Sequence, residues 1–85
     1  MPEWKLVLDE GAFEFYLTTR GAERRILRRG LDHLKDNPMH IGLWQDFDEF
    51  KRPVEVELFG KLWVSYWSDV VAKEVRIVRI KRRTR

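Results

Sequence analysis

The spacing of apolar residues changes along the chain from two to about three and a half and back to two, and each change marks an element. Trp4, Leu6 and Leu8 alternate with Lys5 and Val7, which predicts a short strand with one buried face. Asp9 and Glu10 then offer capping oxygens and negative charge for a helix start. Phe13, Tyr16 and Leu17 recur at i, i+3, i+4, so a helix is expected over residues 10–19, with a break at Gly21. From Ala22 to Asp36 a stripe of Ile26, Leu27, Gly30, Leu31 and Leu34 runs beside Arg24, Arg25, Arg28, Asp32 and Lys35, the pattern of a long amphipathic helix. Arg28 and Asp32 have the spacing of an i, i+4 ion pair. Asn37 suits a left-handed cap and Pro38 cannot continue the helix, so it ends there.

Residues 38–53 show no clean period, although Trp44, Phe47 and Phe50 are too apolar for a solvated loop, which places this segment against the body. Beyond Pro53 the period returns to two. Val54, Val56 and Leu58 alternate with Glu55 and Glu57, and Leu62, Val64 and Tyr66 alternate with Trp63, Ser65 and Trp67. Gly60-Lys61 alone would make a two-residue hairpin turn, but that register sets Leu58 against Trp63 and Glu57 against Val64, mixing the faces. A three-residue loop, Phe59 to Lys61, keeps the apolar residues together by pairing Leu58 with Leu62, and the apolar pattern is the stronger guide because a one-residue slip turns a whole face over, so the longer loop or an adjacent bulge is expected. In the last strand, Glu74 to Lys81, the apolar residues change sides between Ile77 and Val78, which predicts a bulge or a strand covered on both faces. The expected architecture is α+β: strand, helix, helix, then a three-strand antiparallel meander, with both helices on one face of the sheet.

Eighty-five residues, 44% hydrophobic, suffice for a single domain over residues 1–85 with one core. Residues 82–85 read as a flexible basic tail. Cys is absent, which excludes disulfides, Cys-ligated zinc and thiol nucleophiles. No apolar run approaches the roughly 18 residues that span a bilayer, and Met1-Pro2-Glu3-Trp4-Lys5 lacks the pattern of a signal peptide. The expected setting is the cytoplasm, without membrane contact. The net charge of +3 conceals an asymmetry. Residues 73–85 hold seven basic side chains and one acidic, while the first 72 residues hold ten basic and thirteen acidic, so the positive charge belongs to the last strand and tail.

Few residues invite catalysis by familiar routes. His33 and His40 lack the spacing of a metal site and read as structural or solvated, Ser65 and Ser68 sit in no glycine elbow, and no glycine-rich phosphate loop occurs. No cofactor or metal is expected. Trp63 and Trp67 fall on the side of the hairpin away from the apolar stripe, beside Glu55 and Glu57. Either the 38–53 segment covers them, or they form a surface for a partner helix or for stacked bases. Arg76, Arg79, Lys81, Arg82 and Arg83 offer phosphate-binding groups in and just beyond a strand. Nucleic acid, an acidic protein partner and a solvated tail all fit that basic run.

The residues also resemble a known group. Arg24-Arg25-Ile26-Leu27 followed by Leu31-Asp32-His33-Leu34 and Asn37-Pro38 is similar to the long-helix pattern of the RelE/ParE superfamily of type II toxins, which includes plasmid stabilisation proteins. Gly60 to Asp69, with Tyr66 inside, and Lys73-Glu74-Val75-Arg76-Ile77-Val78-Arg79-Ile80 resemble that group's closing hairpin. The resemblance implies a small toxin neutralised by a cognate antitoxin, acting on messenger RNA at the ribosome or on DNA gyrase, and either self-associated or in a toxin–antitoxin hetero-oligomer. RelE-like members cleave RNA without a metal by 2′-hydroxyl attack, with basic groups stabilising the pentavalent phosphate and a Tyr or similar group assisting proton transfer. Where such nucleases carry an Arg three residues before the hairpin Tyr, this chain has Trp63, with Lys61 the nearest basic substitute. Lys81-Arg82-Arg83 resembles the basic stretch after the last strand, which makes Arg82, with Lys61, the implied catalytic pair. A non-catalytic binding module of the same fold is the alternative, with Trp63, Tyr66 and Trp67 holding a partner or bases.

Overall fold

The computed structural model describes residues 3–84. Strand β1 (Lys5–Leu8), helix α1 (Glu10–Thr18) and helix α2 (Gly21–Asp36) are followed by β2 (Trp44–Phe47), β3 (Pro53–Phe59), β4 (Leu62–Asp69) and β5 (Glu74–Arg82). The sheet has five strands in the order β1-β5-β4-β3-β2; β1 runs parallel to β5 and the other pairs are antiparallel. The α+β class and the opening strand-helix-helix order agree with the sequence reading. The expected three-strand antiparallel meander is present as β3, β4 and β5, but the strand count differs: the 38–53 segment adds β2 at the far edge and β1 pairs parallel with β5, so the sheet has five strands and is mixed. No helix among the described residues is long and apolar enough to cross a membrane.

Helix α2 buries Leu27, Gly30, Leu31 and Leu34, one face at i, i+3, i+4, i+7, while Ile26 stays partly exposed at the rim. Helix α1 turns a different stripe inward from the one expected: Ala12 is buried and Phe15 and Tyr16 pack on the core, whereas Phe13 and Leu17 are half exposed. Thr19 is buried behind α1 and donates its hydroxyl to the Phe15 carbonyl at 2.7 Å. These side chains meet Leu62, Val64, Tyr66, Val75, Ile77 and Ile80 of the sheet. The end of α2 departs from expectation in detail: Asn37 has φ −131°, outside the left-handed region, and ends the helix by donating Nδ2 to the His33 carbonyl at 2.9 Å. Arg28 and Asp32 form no ion pair.

The β3–β4 hairpin overturns the expected register. Its loop is the two-residue Gly60-Lys61, with Phe59 opposite Leu62, Leu58 opposite Trp63, Val56 opposite Ser65 and Glu55 opposite Tyr66. Gly60 takes φ +61° at the first central position, where hairpin turns of type II′ require it. The turn chemistry prevails because the sheet is apolar on both faces. Val54 and Val56 are buried on the side away from the helices, and the carboxylates of Glu55 and Glu57, placed on the helix side, find partners there. The expected irregularity in β5 is present: Ser65 pairs with Arg79 and Tyr66 with Ile77, so Val78 bulges out and Ile80 returns to the core side.

Gly30 is fixed by contact rather than by backbone angle. A Cβ there would lie 2.5 Å from Cγ of Phe59, the rigid root of a ring packed on the core. Gly30→Ala is expected to lower stability by about 1–3 kcal/mol despite the better helix propensity of Ala. Gly11→Ala, where a Cβ meets nothing, should leave it unchanged or raise it slightly, and urea midpoints of the two variants make the comparison.

Candidate nucleic-acid interface

The face of the sheet away from the helices is the open face, and the alternation of the strands decides what it carries. Trp63, Ser65 and Trp67 of β4 are paired there with Lys81, Arg79 and Arg76 of β5 and flanked by Val54, Val56 and Trp44. The rings of Trp44 and Trp63 lie 4.7 Å apart at 55°, a tilted contact that forms one aromatic surface. A cleft of ≈ 450 Å³ opens over it, bordered by Asp46, Ser65, Arg79, Lys81 and Arg83. The β2–β3 turn reaches across the same face, where Phe47, Asp48 and Glu49 border a second hollow with Val78 and Arg79.

The basic side chains named from the sequence fall into two groups. Arg79 and Lys81 in β5, and Arg83 just past it, are exposed, recur every second residue and have no ion-pair partner among the described residues. Arg76 and Arg82 are engaged. Arg76 donates to Glu74 at 2.9 Å and lies 3.7 Å from Asp9. Arg82 points to the helix side, where Nε and Nη2 donate to the two carboxylate oxygens of Glu23 at 3.0 and 2.9 Å and the guanidinium lies 4.7 Å from the centre of the Phe15 ring. The hydrogen bond to Glu23 raises the Arg82 pKa above its ordinary value. Lys61 is exposed in the hairpin turn, and its carbonyl accepts from the Arg83 amide at 2.7 Å. Arg85, in the predicted tail, lies outside the described residues.

The aromatic residues divide similarly. The 38–53 segment covers the Trp63–Trp67 face in part: Trp44 packs against Trp63 and Arg52 lies 4.2 Å above Trp67, and both indoles remain partly exposed. The Arg52 guanidinium is in turn held by Asp48 at 3.6 Å, so Trp67 already has a cation over its ring. Tyr66 does not belong to this surface at all. It is 1% exposed on the helix side, with its hydroxyl donating to the His40 carbonyl at 2.9 Å. Burial first, and then the charges of Glu55 and Glu57, push its pKa well above the ordinary phenol value. A phenol so placed neither stacks on a base in the cleft nor gives up a proton there.

Around Tyr66 lies a satisfied polar network. Nε2 of His40 is 2.7 Å from Glu57, the His33 and His40 rings meet edge to face at 5.0 Å, Glu55 accepts from the Gly42 amide at 2.7 Å, and Ser68 donates to the Pro38 carbonyl. No buried side-chain polar atom among the described residues lacks a partner, so this cluster ties the α2–β2 connection to the sheet. No group of three or more His, Asp or Glu among the described residues is arranged to hold a metal ion.

The sequence missed the role of Trp44 and Asp46, which reach the cleft through β2. Trp44-Gln45-Asp46-Phe47 alternates only weakly, and four exposed residues give a pattern too short to separate from a loop. Comparison with family models, curated proteins and solved structures finds no match to this chain.

Proposed function

We propose that this chain is a RelE/ParE-type toxin component that binds single-stranded RNA on the open face of its sheet and is neutralised by a cognate antitoxin. One observation carries the RNA reading: the Trp44–Trp63 surface lies beside three exposed cations at every second position of one strand end. Alternate residues on a strand are roughly 6.6 Å apart, a spacing of the same order as that of successive phosphates in an extended single strand. Indole rings accept any base by stacking, while cations along the backbone supply affinity without sequence preference. The strand-helix-helix opening, the Tyr-containing hairpin and the basic last strand support the toxin reading through resemblance.

In a nuclease of this kind the 2′-hydroxyl attacks the adjacent phosphorus and the 5′-oxygen leaves, giving a 2′,3′-cyclic phosphate and a 5′-hydroxyl. Arg79, Lys81 and Arg83 are the groups available to stabilise the pentavalent phosphate, in place of Arg82 and Lys61. Asp46 is the carboxylate bordering the cleft that could take the 2′-hydroxyl proton, and water would protonate the leaving oxygen. The burial of Tyr66 favours a second reading, a non-catalytic RNA-binding member of the same fold.

Two measurements together test both readings: inducible expression scored for growth arrest, and purified protein incubated with messenger RNA in EDTA, with and without ribosomes. Arrest with EDTA-resistant cleavage is the expected result. Salt-sensitive RNA binding without cleavage would select the binding module, and the absence of both binding and arrest would reject the RNA reading.

A further inference from the structure

The two halves of β5 are held unequally. Its first half, Glu74 to Ile77, lies between β1 and β4, but β1 stops at Leu8, opposite Ile77. From Val78 onward the strand has β4 on one side only, and Val78 itself is a bulge. Arg79, Lys81 and Arg83 all sit in or beyond this singly paired half. A strand end held by one neighbour frays, and fraying would spread these side chains over many positions. Beyond its pairing with β4, the Arg83 amide on the Lys61 carbonyl and the burial of Ile80, the end of β5 is held by a contact that crosses 59 residues of sequence, from Arg82 to both oxygens of Glu23 in the first turn of α2, with the guanidinium also against Phe15.

We infer that Arg82 is a positioning residue rather than a phosphate ligand: its paired contact with Glu23 pins the end of β5 to the helices and so turns Lys81 and Arg83 to the open face. Period-two alternation makes the coupling direct, since fixing residue 82 on one side of a strand fixes 81 and 83 on the other. Arg82 lies along the rim of the cleft, but its guanidinium is committed to a planar two-point pair with a carboxylate, among the stronger charge-assisted contacts. To bring its guanidinium to a phosphate in the cleft it would have to break that pair. The inference rests on the RNA reading for its functional consequence, and on the ion pair alone for its structural one.

The test titrates the full chain with a labelled oligouridylate across a range of salt concentrations. Arg82→Ala and Glu23→Gln should each weaken binding about threefold to tenfold, the cost of leaving long side chains to be ordered on binding. The double variant should be no worse than either single one, and the slope of log affinity against log salt should stay at the wild-type value. Arg79→Ala should reduce that slope by about 0.7, because it removes a phosphate contact. The exchanged pair Arg82→Glu with Glu23→Arg should recover most of the loss. The opposite pattern overturns the inference: an Arg82→Ala slope reduced like that of Arg79→Ala, with Glu23→Gln binding as well as or better than wild type because Arg82 has been freed. If Arg82→Ala does not fold, Glu23→Gln and the exchanged pair decide between the two patterns. If the wild-type chain binds no RNA at any salt, the RNA reading fails, and the pin is read from amide exchange instead. The Arg83 amide, bonded to the Lys61 carbonyl, should then exchange several-fold faster in Arg82→Ala and Glu23→Gln while the Tyr66 amide does not change; equal rates at Arg83 overturn the inference.

Discussion

Tyr66→Ala is expected to cost about 3–5 kcal/mol, the usual loss for a large buried aromatic. An 85-residue domain has about 4–13 kcal/mol in total at typical per-residue stability, so this variant should lose from about a quarter to all of it. Tyr66 is the largest fully buried side chain, and its hydroxyl is tied to the connection that leads into β2. Tyr66→Phe keeps the ring and removes only that bond, leaving the His40 carbonyl short of a partner, so about 1–2 kcal/mol is expected. Urea midpoints with unchanged m-values would measure both. The pH dependence gives an independent sign. The folded state holds the phenol above its ordinary pKa, so the unfolded chain releases the proton first as pH rises. Stability from this group is complete below the unfolded value near 10 and is lost above it, by up to about 1.4 kcal/mol per pH unit. Tyr66→Phe should lack that component. If Tyr66→Phe were as stable as wild type at every pH yet abolished RNA cleavage, the hydroxyl would be chemical and the structural assignment wrong.

The same residue shows what the sequence could and could not convey. The alternation of Leu62, Val64 and Tyr66 identified the buried face of β4, and the stripe of Leu27, Gly30, Leu31 and Leu34 identified that of α2, because each faces a single core. The register of β3 was not legible by the same rule. Val54 and Val56 are as apolar as any core position but lie under the opposite face, while Glu55 and Glu57 go inward because Gly42, Gln45 and His40 satisfy them. Those partners come from the segment whose own pattern was too short to read, so long-range pairing was decided by residues that gave no local signal. The candidate site was legible where it depends on alternation within β4 and β5, as for Trp63, Arg79 and Lys81. It was not legible where it depends on which cations are already paired, since the partners of Arg76, Asp9 and Glu74, and that of Arg82, Glu23, come partly from elements distant in sequence.

That difference between free and paired cations yields the second large expected effect. Replacing Arg79, Lys81 and Arg83 together by Ala should weaken binding of single-stranded RNA on the order of a hundredfold near 0.1 M salt and flatten the salt slope by about two, since each lost phosphate contact removes about 0.7. The fold should survive, because all three side chains are exposed and none has an ion-pair partner among the described residues. The aromatic counterpart is Trp63→Ala, expected to cost about 1–3 kcal/mol of binding with the salt slope unchanged, as stacking releases no counterions. Trp67→Ala should cost far less RNA affinity, because its ring is already occupied by Arg52. The contrast between the indoles separates a surface that stacks bases from one that is generally sticky. If Trp63→Ala and Trp67→Ala weakened binding equally, or if the triple variant kept the wild-type salt slope, the Trp44–Trp63 cleft would not be where RNA binds. Binding by the triple variant that remained tight and indifferent to salt would instead indicate an apolar protein partner on this face.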